Sequence, residues 1–437
     1  MTDASAPPGA TPHHAVIVVG GGQAGLSMSW HLQQRGIDHL VLEKERALHV
    51  WETQRWDNFC LVTPNWQCDL PGHPYAGPEP EGFMKKEEIL AWLAGFRAKV
   101  NPPIREGVEV LKVAPRAEGG YAVATSAGAF TADQVVVCSG GYREPIVPRL
   151  AERLPETILQ VQSADYRNAG QLPDGAVLVV GSGQSGAQIA EDLHLEGRKV
   201  FLAVGHAPRC ARFYRGRDVV AWLAEMGYYE MPVERHPLRE GVRDNTNHYV
   251  TGRDGGRDID LRRFALEGME LFGALRGFDR GSLVFDTNLG RALDDADGTY
   301  NGINAAIDAF IEERGIAAPP PSRYEPVWQP AAERERLDLA EAGIGSIVWC
   351  IGFRPDFGWL DVPVFNGAGR PQHRRGVTQQ KGVYFLGLPW LNTWGSGRFE
   401  AVGRDAGFLA ERIAEGLAER LADTGNGVRT TPRGHAA

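Results

Sequence analysis

Short runs of β-branched residues, each closed by glycine, alternate with helical patterns along most of the chain. Residues 15–19 form such a run, a glycine-rich turn follows, and residues 24–35 carry a helical pattern that stops at Gly36. Residues 40–42 form the next apolar run. Strand, turn, helix and strand at these lengths are typical of a dinucleotide-binding βαβ unit.

The same pattern begins again in the middle of the chain. Residues 177–180 predict a strand, residues 181–186 a turn and residues 188–195 a helix, and residues 200–204 predict the next strand. We therefore expect an α/β protein with two Rossmann-like dinucleotide-binding domains.

Further strand patterns lie on both sides of the second unit. Residues 135–138 precede it, and residues 347–351 and 383–386 follow it, before a last helical pattern over 404–421. This order predicts that the NADP-binding domain is inserted into the FAD-binding domain. The expected division is a tail over 1–14, an FAD part over 15–165, an NADP domain with a substrate-side insert over 166–340, a second FAD part over 341–423 and a tail over 424–437.

The insert, from residue 205 to residue 330, is richer in polar and turn residues. It carries helical patterns near 261–275 and 305–313. Its acidic run, residues 294–297, has no surrounding ligand pattern, so we predict a solvated turn and no metal site.

The first turn, Gly20-Gly21-Gly22-Gln23-Ala24-Gly25, fits the pattern G-x-G-x-x-G. The first glycine permits a tight turn, the second lets the backbone approach a pyrophosphate, and the third lets the helix pack on the sheet. Glu43 ends the next strand, where an acid accepts the ribose hydroxyls. Its place close to the N-terminus favours FAD over NAD, and an ordinary glycine-rich surface turn is the alternative.

The second turn, Gly181-Ser182-Gly183-Gln184-Ser185-Gly186, repeats this pattern. Gly205 and His206 stand where the acid would be, and an acid there would repel a 2′-phosphate. Arg209 and Arg212 follow and are candidates to clamp that phosphate, since guanidinium matches phosphate oxygens. The second turn therefore predicts NADPH, with a solvated loop as the alternative role for the two arginines.

Composition narrows the classes of function. The formal net charge of −9 argues against nucleic acid as a partner. No apolar run reaches the roughly 18 residues of a membrane span, and the N-terminus has no apolar signal core. The five cysteines contain no CxxC pair. These features favour a cytoplasmic location without disulfides.

Several segments resemble the class B (single-component) flavin-dependent monooxygenases. Residues 51–75 resemble the stretch after the first Rossmann turn, and residues 387–397 resemble the segment that closes over the flavin. Cys138-Ser139-Gly140-Gly141 and Trp349-Cys350-Ile351-Gly352 stand where the family has an A-T-G turn. Within this family the chain is similar to bacterial flavin oxidoreductases, including a subgroup associated with nitrilase gene clusters.

One departure concerns the family signature F-x-G-x-x-x-H-x-x-x-(W/Y) before the second unit. Here Glu156 replaces the phenylalanine, Ile158 the glycine and Gln162 the histidine, and only Tyr166 fits. Because this segment couples NADP binding to oxygenation in the family, its loss speaks against efficient oxygen transfer.

The resemblance implies that NADPH reduces FAD and that a flavin C4a-(hydro)peroxide then inserts one oxygen atom of O₂ into a small organic substrate. Asn65, Trp390 and Asn392 are the catalytic candidates; a turn asparagine is the alternative for Asn65, and Pro64 competes for its position. Trp51 and Trp56 are expected near the flavin or in the core. The expected cofactor contacts are Gly20, Gly22, Gln23, Ala24, Gly25, Glu43, Lys44, Trp51, Arg55, Trp56, Gly140, Gly181, Gly183, Gln184, Ser185, Gly186, Arg209, Arg212 and Gly352.

Two further functions compete with the monooxygenase. An NAD(P)H-dependent flavin oxidase or dehydrogenase without oxygen insertion is favoured by Gln162. A noncatalytic dinucleotide-binding or redox-sensing protein is disfavoured by two intact phosphate-binding turns. The expected partners are a small-molecule substrate and O₂, with no nucleic acid and no membrane, for a monomer or homodimer.

Overall fold

The computed structural model describes residues 11–426, and within them the first predicted unit forms almost as expected. Strand His13–Val19 runs through a turn into helix Gln23–Gln34, and strand His39–Leu42 follows. The inner residues of both strands are buried, as parallel strands covered on both faces require.

A nine-stranded sheet is the core of the first unit. Its parallel strands come from both ends of the chain, since Val383–Phe385 pairs with Gly128–Val137. Across the sheet the strands are His373–Arg374, Val377–Thr378, Val383–Phe385, Gly128–Val137, His13–Val19, His39–Leu42 and Ile104–Arg105, with Val110–Pro115 and Tyr121–Thr125 added as a hairpin on Gly128–Val137.

A five-stranded sheet, parallel throughout, is the core of the second unit. Across the sheet the strands are Leu159–Gln162, Ile344–Trp349, Ala176–Val180, Val200–Ala203 and Glu270–Phe272. Two parallel sheets with the strand–turn–helix–strand arrangement confirm the predicted α/β class with two Rossmann-like units.

The placement of two strands corrects the expected domain limits. We expected the first unit to reach residue 165 and to resume at residue 341, but Leu159–Gln162 and Ile344–Trp349 lie in the second sheet. An apolar β-branched run predicts a strand without indicating which of two sheets it joins.

The chain passes between the two units at a small antiparallel pair. Glu144–Pro145 pairs with Phe353–Arg354, and Nε of Arg354 lies 2.7 Å from Oε2 of Glu144. The outgoing and returning segments are therefore held side by side.

The insert also differs from the predicted pattern. The helix expected over 261–275 covers only Leu261–Leu266, because Gly268 turns the chain at a φ of +104° towards the strand that begins at Glu270. The pattern over 305–313 is the end of a longer helix, Leu289–Arg314. The acidic run 294–297, expected as a solvated turn, lies inside this helix.

The remaining elements frame the two sheets. The helices are Gln23–Gln34, His49–Thr53, Lys86–Val100, Gln184–Leu195, Val219–Glu225, Leu261–Leu266, Leu289–Arg314 and Val402–Asn426. Short antiparallel strands are Asp69–Leu70 with His73–Pro74, Phe213–Tyr214 with Arg217–Asp218, and Leu275–Asp279 with Ser282–Phe285 and Arg336–Asp338.

No helix within residues 11–426 is both long and apolar enough to cross a bilayer. The predicted tail over 1–14 already contains the start of strand His13–Val19, and helix Val402–Asn426 extends into the tail predicted from residue 424. The other residues of the two predicted tails, 1–10 and 427–437, lie outside the described part of the chain.

Candidate functional site

The first glycine-rich turn has a backbone that side chains would block at two positions. Gly20 has a φ of +110°, and a Cβ there would lie 2.6 Å from the carbonyl oxygen of Cys138. A Cβ on Gly25 would lie 1.9 Å from the carbonyl oxygen of Gly20. At Gly22 a Cβ would meet no atom within 4 Å, so the backbone faces open space. This combination suits the close approach of a diphosphate to a helix N-terminus.

The second turn repeats this geometry. Gly181 has a φ of +99°, and a Cβ there would lie 2.6 Å from the carbonyl oxygen of Cys350. A Cβ on Gly186 would lie 1.9 Å from the carbonyl oxygen of Gly181. Around Gly183 the only atom within 4 Å of a Cβ is Cγ2 of Thr246, at 3.4 Å. The second turn therefore offers an equivalent backbone cradle.

Both turns open into one cleft of about 1970 Å³ between the two units. Gly25 and Gly186 pack behind their turns, as expected for the third glycine of the pattern. The predicted site residues that line the cleft are Gly20, Gly22, Gln23, Ala24, Glu43, Lys44, Trp51, Arg55, Trp56, Gly140, Gly181, Gly183, Gln184, Ser185, Gly352 and Trp390.

The two turns differ in charge at the end of the following strand. In the first unit, the Glu43 carboxylate accepts a hydrogen bond from the backbone N–H of Gly21 at 2.6 Å and faces the cleft. In the second unit, Gly205 and the exposed His206 occupy the equivalent place, and the hydroxyl of Ser182 accepts a hydrogen bond from the Gly205 N–H at 3.0 Å. The second position therefore carries no carboxylate.

A cationic and aromatic wall stands beside the first turn. The indole N–H of Trp51 donates to the side-chain oxygen of Gln23 at 3.0 Å. The guanidinium of Arg55 lies 4.7 Å from the Trp51 ring and 5.3 Å from the Phe59 ring. Burial lowers the pKa of Arg55 to about 10, so it remains a cation at neutral pH. Among residues 11–426, no carboxylate oxygen lies within 4 Å of its nitrogens, which leaves this charge available to an anion.

The structure corrects the role predicted for Arg209. Its side chain does not line the cleft and is only 2% exposed. The guanidinium lies between the rings of Tyr300 and Tyr324, at 4.6 and 3.9 Å, and its Nε is 2.8 Å from the Asp297 carboxylate. Asp297 also pairs with Arg262 at 2.8 Å. Arg209 and the acidic run thus anchor the long helix of the insert rather than bind a 2′-phosphate.

Arg212 is corrected for the same reason. It is 1% exposed, pairs with Asp218, and donates from Nη1 to the carbonyl oxygen of Val62 at 2.7 Å. A desolvated guanidinium takes its partners from whatever the fold brings near, here another segment.

Two of the three catalytic candidates also lie away from the cleft. Asn65 is 2% exposed; its amide donates to the carbonyl oxygen of Glu79 at 2.9 Å and accepts from the N–H of Met84 at 2.7 Å. It therefore closes a loop instead of facing a ligand. Asn392 is held through its backbone, since its carbonyl oxygen accepts from the N–H of Val233 at 2.7 Å. Of the three candidates only Trp390 lines the cleft.

The degraded signature segment supports the second sheet. Gln162 ends strand Leu159–Gln162, and its carbonyl oxygen accepts a hydrogen bond from the N–H of Tyr166 at 3.0 Å. The Tyr166 hydroxyl donates to the buried carboxylate of Asp192 at 2.7 Å. Its one retained aromatic position is therefore structural in this chain.

Sequence reasoning missed a connection between the two cradles. The amide of Gln23, in the first turn, contacts the carbonyl oxygen of Gly397 at 3.5 Å. The next residue, Arg398, donates from Nη2 to Oδ1 of Asn247 at 2.9 Å. Asn247 follows Thr246, which contacts the second turn at Gly183. The motif that ends at Gly397 pointed to this segment, but nothing in the sequence singled out Asn247.

The cysteines and acidic clusters add no second chemistry. All five cysteines are free thiols, and burial raises the pKa of those beside the turns, Cys138 and Cys350. Within residues 11–426, no group of three or more histidine, cysteine, aspartate and glutamate side chains is placed to hold a metal ion.

Comparison with known proteins adds relatives to this geometry. The pyridine nucleotide-disulphide oxidoreductase family matches residues 17–226, which include both turns. An uncharacterised CzcO-like oxidoreductase from Geobacillus kaustophilus (strain HTA426) is 30% identical over 404 residues, 91% of this chain and 97% of that protein. Indole-3-pyruvate monooxygenase YUCCA1 from Oryza sativa subsp. japonica is 29% identical over 191 residues, 43% of this chain and 47% of that protein. The solved flavin-containing monooxygenase from Stenotrophomonas maltophilia has a TM-score of 0.56 at 21% identity, covering 93% of this chain and 99% of that one.

Proposed function

The chain belongs to the CzcO-like family of oxidoreductases, among the class B flavin monooxygenase-like flavoproteins, and we propose that it is an NADPH-dependent FAD monooxygenase acting on a small organic substrate. The membership confirms the resemblance predicted from the motifs. One observation carries the proposal: two diphosphate cradles open into the same cleft.

The first cradle fits FAD. The open backbone at Gly22 leaves room for a pyrophosphate, and the helix that follows directs its N-terminal dipole at the phosphates. Glu43 lies at the cleft edge, where it would accept the ribose hydroxyls. Trp51 fixes the adjoining wall through Gln23.

The second cradle fits NADPH. Gly183 leaves the same room for a pyrophosphate, and Gly205 and His206 present no carboxylate to repel a 2′-phosphate. Arg55 adds a cation to the cleft that has no acidic partner in the described part of the chain. Because Arg209 and Arg212 are turned away, coenzyme preference in this proposal rests on the absence of repulsion and on Arg55.

The protein's own contribution is orientation and exclusion of water. When bound, FAD supplies hydride acceptance from NADPH and activation of O₂. The walls formed by Trp51, Trp56 and Trp390 bring apolar surface into the cleft, where they would keep water from the reacting atoms.

The second candidate is an NAD(P)H-dependent flavin oxidase or dehydrogenase that inserts no oxygen. Gln162 favours it, because the signature histidine of the family is replaced and the segment has become a strand of the second sheet. The two candidates share both cofactors and differ in the fate of O₂.

The experiment that separates them measures three quantities in one reaction. FAD-loaded protein receives NADPH under isotopically labelled O₂ with a panel of amines, sulfides and ketones. We expect label in an organic product and less H₂O₂ released than NADPH consumed. Equal amounts of H₂O₂ and NADPH across the panel would establish the oxidase instead, and failure to retain FAD would exclude both candidates.

A further inference from the structure

An arginine in an aromatic pocket of the cleft lacks an acidic partner. We call this the Arg398 pocket, and it consists of Arg398, Asn247, Tyr228, Tyr229, Trp390 and Trp394. Its members come from three separate segments of the chain, and each lines the cleft.

The charge of Arg398 is not neutralised by the protein. Its guanidinium lies 3.7 Å from the Trp394 ring and donates to the carbonyl oxygen of Trp394 and to Oδ1 of Asn247. In the described residues no carboxylate oxygen approaches its nitrogens within 4 Å, and the neighbouring Glu400 is paired with Arg404. Guanidinium has five N–H donors, so three stay without a protein acceptor. A partly desolvated cation of this kind gains most from an anionic ligand.

The walls around this charge are aromatic and held by one another. The rings of Tyr229 and Trp394 are 4.6 Å apart, those of Tyr228 and Tyr229 5.4 Å, and those of Tyr228 and Trp390 6.3 Å. Burial raises the pKa of both tyrosines, so their hydroxyls stay neutral. A pocket with apolar walls and one oriented charge selects a ligand with an apolar body and one anionic group.

The position of the pocket connects it to both cradles. Arg398 follows Gly397, which the first turn contacts through Gln23, and it holds Asn247, next to the residue that contacts Gly183. A molecule in this pocket would lie between the two bound dinucleotides, whereas a surface site would be remote from them.

We propose that the Arg398 pocket binds the carboxylate of an aromatic or apolar monocarboxylic acid, and that this acid is the substrate class. The inference rests on the proposed function for the word substrate, but binding is testable without turnover. A coenzyme phosphate is the other anion in the cleft; its dianionic, strongly hydrated character suits the aromatic walls poorly, and Arg55 is a second cation available to it.

The test compares carboxylates with neutral amides of the same shape. FAD-loaded protein is titrated with phenylacetate, 3-phenylpropanoate and hexanoate, and with the three corresponding amides, following tryptophan fluorescence and the flavin spectrum. We expect at least one acid to bind about tenfold or more tightly than its amide, the scale of a charge-assisted hydrogen bond. No acid preferred over its amide up to millimolar concentration would overturn the proposal.

Variants then assign the preference to one residue. Arg398→Gln should abolish the difference between acid and amide, and Arg398→Lys should keep part of it, which also covers the case that the glutamine variant does not fold. Arg323→Gln is the control, because that side chain is 77% exposed and lies outside the cleft lining. A preference that survives in Arg398→Gln, or a variant that weakens NADP⁺ binding while the preference remains, would refute the assignment.

The two proposals fail in distinguishable ways. Fluorescence titration of the protein without FAD still reports carboxylate binding, so loss of flavin alone would sink only the monooxygenase. Flavin reduction without any acid preference would sink only the substrate class.

Discussion

Adding one methyl group at Gly22 should separate cofactor binding from folding. Gly22 has a φ of −75° and a ψ of −173°, which alanine adopts without strain. Its Cβ would meet no protein atom within 4 Å. The methyl group would instead occupy the space that we assign to the FAD pyrophosphate.

The expected magnitudes follow from these two facts. Alanine restricts the unfolded chain, which stabilises the fold by about 0.4–1 kcal/mol. It is also a poorer N-cap than glycine, at a cost of similar size. The unfolding free energy of the FAD-free protein should therefore stay within about 1 kcal/mol of wild type. Overpacking against the pyrophosphate should cost about 1–3 kcal/mol, or about 5- to 160-fold in Kd for FAD.

The matched variant is Gly183→Ala in the second turn, where φ is −66° and ψ is −175°. It should weaken NADP⁺ and leave FAD bound, whereas Gly22→Ala should weaken FAD. Calorimetric titration with each dinucleotide and urea unfolding of the FAD-free proteins give the four numbers. Unchanged FAD affinity in Gly22→Ala, or loss of FAD in Gly183→Ala, would refute the assignment of the two cradles.

Three further predictions follow from buried groups. Arg209→Ala leaves Asp297 without a partner, so the unfolding free energy should fall by about 3–5 kcal/mol while the ratio of KM for NADPH and NADH stays unchanged; a selective rise in KM for NADPH would contradict the structural role. Asn65→Ala leaves the Met84 N–H unpaired and should cost about 1–3 kcal/mol in urea unfolding, yet flavin reduction by NADPH should keep its rate, and a slower reduction would restore Asn65 as a site residue. Burial and the charge of Arg243 lower the pKa of His373 from 6.5 to about 4; since the unfolded chain then binds the extra proton between these values, stability should fall as the pH drops through this window, and His373→Gln, compared by urea midpoints at neutral and acid pH, should lose part of that fall.

Local patterns allowed both cradles to be predicted from the sequence. Gly20 and Gly25 are required by contacts within one turn and the strand beside it, so their spacing alone is informative. The strands around the turns were also predictable, because buried parallel strands form continuous β-branched runs.

Side-chain roles that depend on distant partners could not be predicted. Arg209 lies near the end of the right strand, but its acid, Asp297, belongs to a helix far along the chain. The acidic run suggested a turn, although the fold buries Asp297 within a helix against two arginines. The sequence does not indicate which charges a tertiary contact will neutralise.

The Arg398 pocket shows the same limit from the opposite side. Arg398 adjoins a glycine motif and was within reach of sequence reasoning, but Tyr228 and Asn247 lie in an insert without a local signature. Only the packing of the insert on the C-terminal segment brings them together.

The account depends most on the claim that the two cradles bring a nicotinamide and a flavin together in one cleft. Rapid mixing of FAD-loaded protein with NADPH in the absence of O₂ tests this directly. We predict that one equivalent of NADPH bleaches the visible absorbance of the bound flavin. Tight binding of both dinucleotides with the flavin remaining oxidised would contradict it.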